Sequence, residues 1–281
     1  MFKMLNPKRF YHAVGRRKFL EFVLLAAFIL FFYGPMINML MLAFANEYQA
    51  PAILPQQWGF KWWSYVFSQK SLVSSIAQSF IVAIITTGVS MILCIPAAYS
   101  IARFKYPGRK MFMLSFLLTN AFPKLGIYTS IAVLFYKYNL MGTYTGVVII
   151  HMITSMMFMV WLPSSAFRAV HRQQEEAARD VGAGPIRTFF KVTLPMAMPG
   201  ISVATLYTFL GSMEEAQGTM LVGMAKVQTM PVAMYGIVLD SSAVQIGAVF
   251  AILLIIPSAL MIFAMRKYIG PEAISGGFKM K

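Results

Sequence analysis

Residues 75–102 read SIAQSFIVAIITTGVSMILCIPAAYSIA, a run of 28 residues without one charged side chain. A helix needs about 20 apolar residues to cross the hydrocarbon of a bilayer, so this stretch is long enough. Lipid cannot satisfy exposed backbone N–H and C=O groups, and the period-2 alternation of a barrel strand is absent. Helix is the form that fits. Working outward, comparable stretches lie near residues 22–44, 111–136, 144–167, 199–223 and 246–265. The expected fold class is all-α, a polytopic membrane helix bundle with about six transmembrane helices.

Composition agrees. Of 281 residues, 59% are hydrophobic and 12% charged, whereas a soluble domain carries about 25% charged residues. So few charges cannot cover a water-facing surface, and lipid removes the difficulty. The net charge of +15 does not point to nucleic acid, because the basic residues sit in short segments between apolar runs. The single cysteine, Cys94, lies inside an apolar run, which excludes a disulfide framework and a Cys-based metal site. Twenty-three methionines read as gap-fillers between helices rather than metal ligands.

The basic segments also orient the chain. Lys3, Lys8, Arg9, Arg16, Arg17 and Lys18 precede the first span, and Ala43-Phe44-Ala45 imitates a signal-peptide cleavage site. The apolar run between them is longer than the ~7–15 residues of a signal sequence, so it is read as an uncleaved span. With the N-terminus inside, nineteen Lys and Arg fall on inner segments. Four (Lys61, Lys70, Lys137 and Lys226) fall on outer ones, and Lys124 lies within a span. That bias favours both termini on the cytoplasmic side of the membrane. The expected organisation is a cytoplasmic segment over 1–21, a transmembrane domain over 22–266 and a cytoplasmic tail over 267–281. The outer segment 45–74, with Trp58, Trp62, Trp63 and Tyr65, is expected to hold a short interfacial helix.

Between the fourth and fifth spans, residues 171–199 read HRQQEEAARDVGAGPIRTFFKVTLPMAMP. Residues 173–181 are good helix formers stopped by Gly182, and Pro185 starts a second short helix over 186–192, which Pro195 is expected to close. Phe189, Phe190 and Val192 are expected to face the bundle. Ala177 and Ala178 leave a low surface open to close approach by another protein, and Glu176 adds a charge beside it.

At Glu176-Ala177-Ala178, Gly182 and Leu194-Pro195 the chain resembles the EAA loop of permease subunits in binding-protein-dependent, type I ABC importers. The resemblance implies that the loop over 168–198 holds the coupling helix, which seats on a separate ATPase. Its coupling residues would then be Glu175, Glu176, Ala177, Ala178, Asp180, Gly182, Leu194 and Pro195. It further implies a dimeric ABC ATPase that carries ATP and Mg, a second homologous permease and an extracytoplasmic solute-binding protein. No cofactor and no catalytic residue are expected in this chain itself. Maltose-type carbohydrate permeases are similar to it at residues 102–109, ARFKYPGR, at residues 139–143, NLMGT, at Glu175, and at Gly276-Gly277-Phe278-Lys279. Two departures, Asp180 followed by Val181 and the acids of Met213-Glu214-Glu215, resemble spermidine/putrescine-type permeases instead. Sugar, sugar alcohol or oligosaccharide is the expected cargo, with polyamine as the alternative.

No G-x-x-x-x-G-K-[ST] run is present, so ATP phosphates would have to be cradled elsewhere. Ionisable residues at membrane depth are costly and face a cavity or a polar partner, which singles out Lys124, Glu214 and Glu215. The two glutamates either line a translocation path or sit where the fifth helix breaks, near Gly211 and Gly218, bonding backbone groups or a neighbouring cation. Lys124 either snorkels outward or pairs with an acid. His151 reads as a hydrogen-bonded packing residue. A secondary transporter or channel would explain the spans but not the loop. A membrane enzyme would need clustered histidines, and His12, His151 and His171 lie on separate segments.

Overall fold

A computed structural model of the chain describes residues 16–49, 51–240 and 243–266. The first three basic residues, Lys3, Lys8 and Arg9, and the glycine-bearing tail 276–279 lie outside the described residues. Among the described residues, twelve α-helices run in the order α1 (Arg16–Ala43), α2 (Lys61–Ser68), α3 (Lys70–Arg103), α4 (Arg109–Ala121), α5 (Lys124–Lys137), α6 (Tyr144–Ala169), α7 (Arg172–Asp180), α8 (Pro185–Thr188), α9 (Leu194–Glu214), α10 (Gln217–Val222), α11 (Met230–Asp240) and α12 (Val244–Met265). A small antiparallel pair, β1 (Ala45–Glu47) and β2 (Gln57–Trp58), is the one sheet among the described residues.

α3, α6 and α9 pack together as the centre of the bundle. Small and hydroxyl residues line their contacts: Ser79, Thr86 and Ser90 on α3, Ser155 and Ser164 on α6, Ser202, Thr205 and Thr208 on α9, all buried. In lipid, apolar side chains gain little by leaving one greasy surface for another, so helices associate where small residues let backbones approach. With 34 residues at ~1.5 Å each, α3 is longer than the ~30 Å hydrocarbon layer and reaches beyond it. α1 packs along α12, and none of the residues in its apolar window is buried. α2 is the short helix of the aromatic outer segment; the Trp63 indole N–H donates to the Ala43 carbonyl at 2.8 Å and its ring stacks on Phe44.

Three expectations are corrected. The span near 111–136 is two helices, α4 and α5, bent by 104° at Phe122-Pro123. The proline ring disfavours helical backbone at the residue before it, and Phe122 is extended, with φ −93° and ψ 153°. The span near 199–223 breaks at Glu215, whose ψ of 112° ends α9 before α10 starts. Beyond it lies a further apolar helix, α11, which the hydropathy reading passed over. Pro195 closes nothing: it stands in the first turn of α9, and the chain runs helically from Pro185 to Glu214 through a π-helical turn, Phe189–Thr193. There the N–H of Leu194 reaches back five residues to Phe189.

Candidate functional site: a loop clamped beneath the bundle

α7 is too polar to enter lipid, and one of its side chains is buried. Glu175 accepts from the Arg103 guanidinium at 2.7 Å and from the Thr193 hydroxyl at 2.7 Å, both on one carboxylate oxygen. Arg103 ends α3, and its same Nη2 also donates to the Val170 carbonyl, just past α6, at 2.9 Å. Arg172 answers with a bond to the Arg103 carbonyl. Both members of the ion pair are 9% exposed. One carboxylate therefore ties α7 to the end of α3 and to the π turn leading into α9, and Arg103 carries the tie on to the end of α6. Further bonds flank the pair on both sides, from Thr193 and to Val170, and help offset the cost of burying charge, while the buried Arg103 Nε–H has no partner among the described residues.

The rest of α7 faces out. Glu176, Ala177 and Asp180 are exposed, and Ala178 is half-buried. Gly182, at φ +88°, ends the helix in the left-handed region. Its N–H bonds to Arg179 and that of Ala183 to Ala178, so two otherwise unpaired carbonyls are met. Beyond it Val181 and Ile186 stand 85% and 75% exposed. Phe189 packs against Tyr99 and Phe167. Phe190, expected to face the bundle, is 58% exposed instead: successive helical residues point about 100° apart, Phe189 takes the inward position, and the two rings meet edge to face. Between α7, α8 and the end of α3 lies a groove of about 690 Å³, with Glu176, Arg179, Ile186 and Phe190 along it. Leu194 is half-buried beside the Ala197 and Ile201 cluster, and Pro195 is exposed.

The charges at membrane depth separate. Glu215 is buried at the α9–α10 break, accepting from the Tyr128 hydroxyl at 2.8 Å and the Gly218 N–H at 2.9 Å. The Lys124 ammonium, half-exposed at the start of α5, is 3.8 Å from it. A Cβ at Gly218 would overlap Ile150, so the backbone approaches α6 as closely as glycine allows. Next to this knot, the buried His151 ring bonds Ser212 at 2.7 Å and Thr219 at 2.6 Å, joining α6 to both sides of the same break. Glu214 points elsewhere: it is exposed, without an ion pair among the described residues. It continues a face of α9 with Val203, Tyr207 and Gly211, and Tyr207 stacks on Phe158 with the rings 17° from parallel.

Residues 94–274, which hold the whole loop and both acids, match the family model described as "Binding-protein-dependent transport system inner membrane component". The chain belongs to this family. Its relatives include the diacetylchitobiose uptake permease NgcG of Streptomyces coelicolor, 27% identical over 257 residues that cover 87% of this chain and 83% of NgcG. The trehalose permease SugB of Mycobacterium tuberculosis is 28% identical over 145 residues, covering 52% of this chain and 53% of SugB. Among solved structures, a chain of a bacterial ABC transporter that imports the acidic polysaccharide alginate superposes with a TM-score of 0.72 at 20% identity, covering 89% of this chain and 95% of that one. At that identity the likeness shows the fold alone, that of an ABC importer permease.

Family membership makes the chain a multi-pass permease subunit of the inner membrane. The structure adds residues that pattern reading left out of the site. Arg103 stood only as an inner cation and as one residue of the stretch 102–109 that resembles carbohydrate permeases, with no place in the site. Thr193 and Tyr128 gave no sign at all, because each finds its carboxylate from 18 and 87 residues away.

Proposed function

We propose that this chain forms half of the translocation pathway of an ATP-driven importer for a small saccharide, and that α7 is the handle through which a separate ATPase moves it. The observation that carries the reading is the clamped loop. Glu176 and Ala177 on α7, with Val181 and Ile186 just beyond it, face out, and Glu175 and Arg103 together fix that helix to the ends of α3 and α6 and to the turn into α9. A partner closing on that surface displaces the ends of α3, α6 and α9 together, which is how a rigid-body switch between two packings is driven. The partners on this reading are a dimeric ATPase carrying ATP and Mg, a second permease and an extracytoplasmic binding protein. The loop and both termini lie on the cytoplasmic side.

A saccharide is favoured over a polyamine by the fate of the two acids. Recognition of a polycation by paired carboxylates needs both of them free, and Glu215 is already held by Tyr128, Gly218 and Lys124. Only Glu214 is left to face the path. Named substrates of the relatives (diacetylchitobiose, trehalose, maltodextrin) support the same class.

The test is reconstitution of the full complex in proteoliposomes, with uptake of a labelled disaccharide and of spermidine followed under ATP. Disaccharide uptake is expected, and spermidine uptake in its place would reverse the substrate class. Glu176→Lys and Gly182→Asp are expected to abolish ATP-driven uptake; if both left it intact, α7 would not be the handle.

A further inference from the structure

We infer that the concavity between the end of α3, the start of α4 and the end of α6 is a binding site for the phosphate headgroup of an anionic glycerophospholipid. Its volume is about 580 Å³, and Lys105, Arg109, Lys110 and Arg168 line it together with Met111 and Met113. Four cations surround one hollow, and no carboxylate is among its lining residues. None of the four has an ion-pair partner among the described residues.

The two guanidiniums are largely unspent. Each carries five N–H donors. Arg109 spends one on the Phe104 carbonyl at a long 3.3 Å, and Arg168 spends one on the Met113 sulfur, a weak acceptor, at 3.4 Å. A phosphodiester accepts from such forks two bonds at a time. It is also the commonest anion at the level where spanning helices end.

Depth selects the lipid over a free anion. Met113 is one turn into α4, and Trp161, nearly two turns up α6 from Arg168, bonds its carbonyl through the indole N–H at 3.1 Å. Met111, 79% exposed, adds apolar surface to the same wall. A headgroup among the cations would lay its acyl chains along that wall. Basic pockets between spanning helices at a membrane face suit such headgroups. The inference needs only that the chain spans a bilayer and is independent of the transport reading.

The assembled importer, extracted in mild detergent, can be weighed intact by native mass spectrometry after exposure to phosphatidylglycerol or phosphatidylcholine. Retention of phosphatidylglycerol but not phosphatidylcholine is expected. Arg109→Gln with Arg168→Gln is expected to weaken phosphatidylglycerol retention by roughly tenfold or more. Lys18→Gln with Arg266→Gln removes the same charge from other helix ends and is expected to leave retention unchanged. Should the first pair fail to fold, Arg109→Lys with Arg168→Lys keeps the charge and is expected to retain the lipid. Equal loss in both glutamine pairs would reduce the effect to net charge and overturn the site. Displacement by inorganic phosphate alone would make it an anion site with no lipid. Retention seen only after the ATPase is stripped away would show that protein, not lipid, covers the hollow in the complex.

Discussion

Glu175 and Glu215 are both buried glutamates, and each is surrounded before it can serve anything else. Removing one partner of a buried, hydrogen-bonded ion pair costs about 3–5 kcal/mol. Arg103→Ala is therefore expected to release α7 from the bundle and to leave a buried carboxylate on Thr193 alone. The chain reports this directly, since Arg172 and Arg179 on α7 are trypsin sites. Cleavage there is expected to rise by about 100-fold, and an unchanged rate would mean that α7 is held by something other than the clamp. Glu215 allows a finer comparison. Glu215→Ala strands the Tyr128 hydroxyl and the Gly218 N–H, at about 1–3 kcal/mol each. Glu215→Gln keeps its one carbonyl oxygen for the Gly218 N–H, can turn its amide N–H to the Tyr128 hydroxyl oxygen, and gives up the ion pair with Lys124. Thermal unfolding in detergent is expected to rank alanine well below glutamine, and equal melting would remove the break from the list of stabilising features.

At the scale of elements, the breaks carry the information. Prolines 35, 96, 163, 199 and 257 all lie inside helices, as membrane helices permit when neighbours re-satisfy the freed carbonyls. Pro123 instead stands where the chain bends by 104°, with Phe122 before it extended. The two cases look alike in sequence: each is one proline in an apolar run. What differs is packing, α4 lying along α6 while α5 is drawn to α10. The break at Glu215 was open in the sequence as one of two readings of the paired acids, near Gly211 and Gly218. Its glutamates were legible as expensive residues, while their divergence depended on Tyr128 and His151 arriving from other helices. Where local chemistry decides, as at Gly182 ending α7, the sequence was enough. Gly218→Val tests the tight crossing of α10 on α6: overpacking at about 1–3 kcal/mol is expected to lower thermal stability, and Ile150→Ala in the same chain is expected to restore part of the loss.

For the molecule as a whole, the long apolar runs and the lopsided cations made the class and approximate span count readable, because lipid permits so few architectures. Sidedness remains a matter for labelling. Cys94 is 4% exposed, so the chain has a silent background for single-cysteine work. Lys105→Cys and Arg179→Cys are expected to react with an impermeant maleimide only when the cytoplasmic side is opened, and Gln56→Cys only from outside. Reaction of Lys105→Cys and Gln56→Cys from one side would overturn the topology.

The π turn ahead of α9 has a geometric consequence. It holds one residue more than an α-helical turn would, and each residue of a helix advances the angle by about 100°. Deleting a single residue from 189–193 would close that surplus and swing everything upstream through more than a quarter of a revolution about the axis of α9. Val181 and Ile186 would keep their sequence and their helices yet present a different side to whatever meets them. The bearing of the handle is thus written in a count of residues, and one codon is enough to change it.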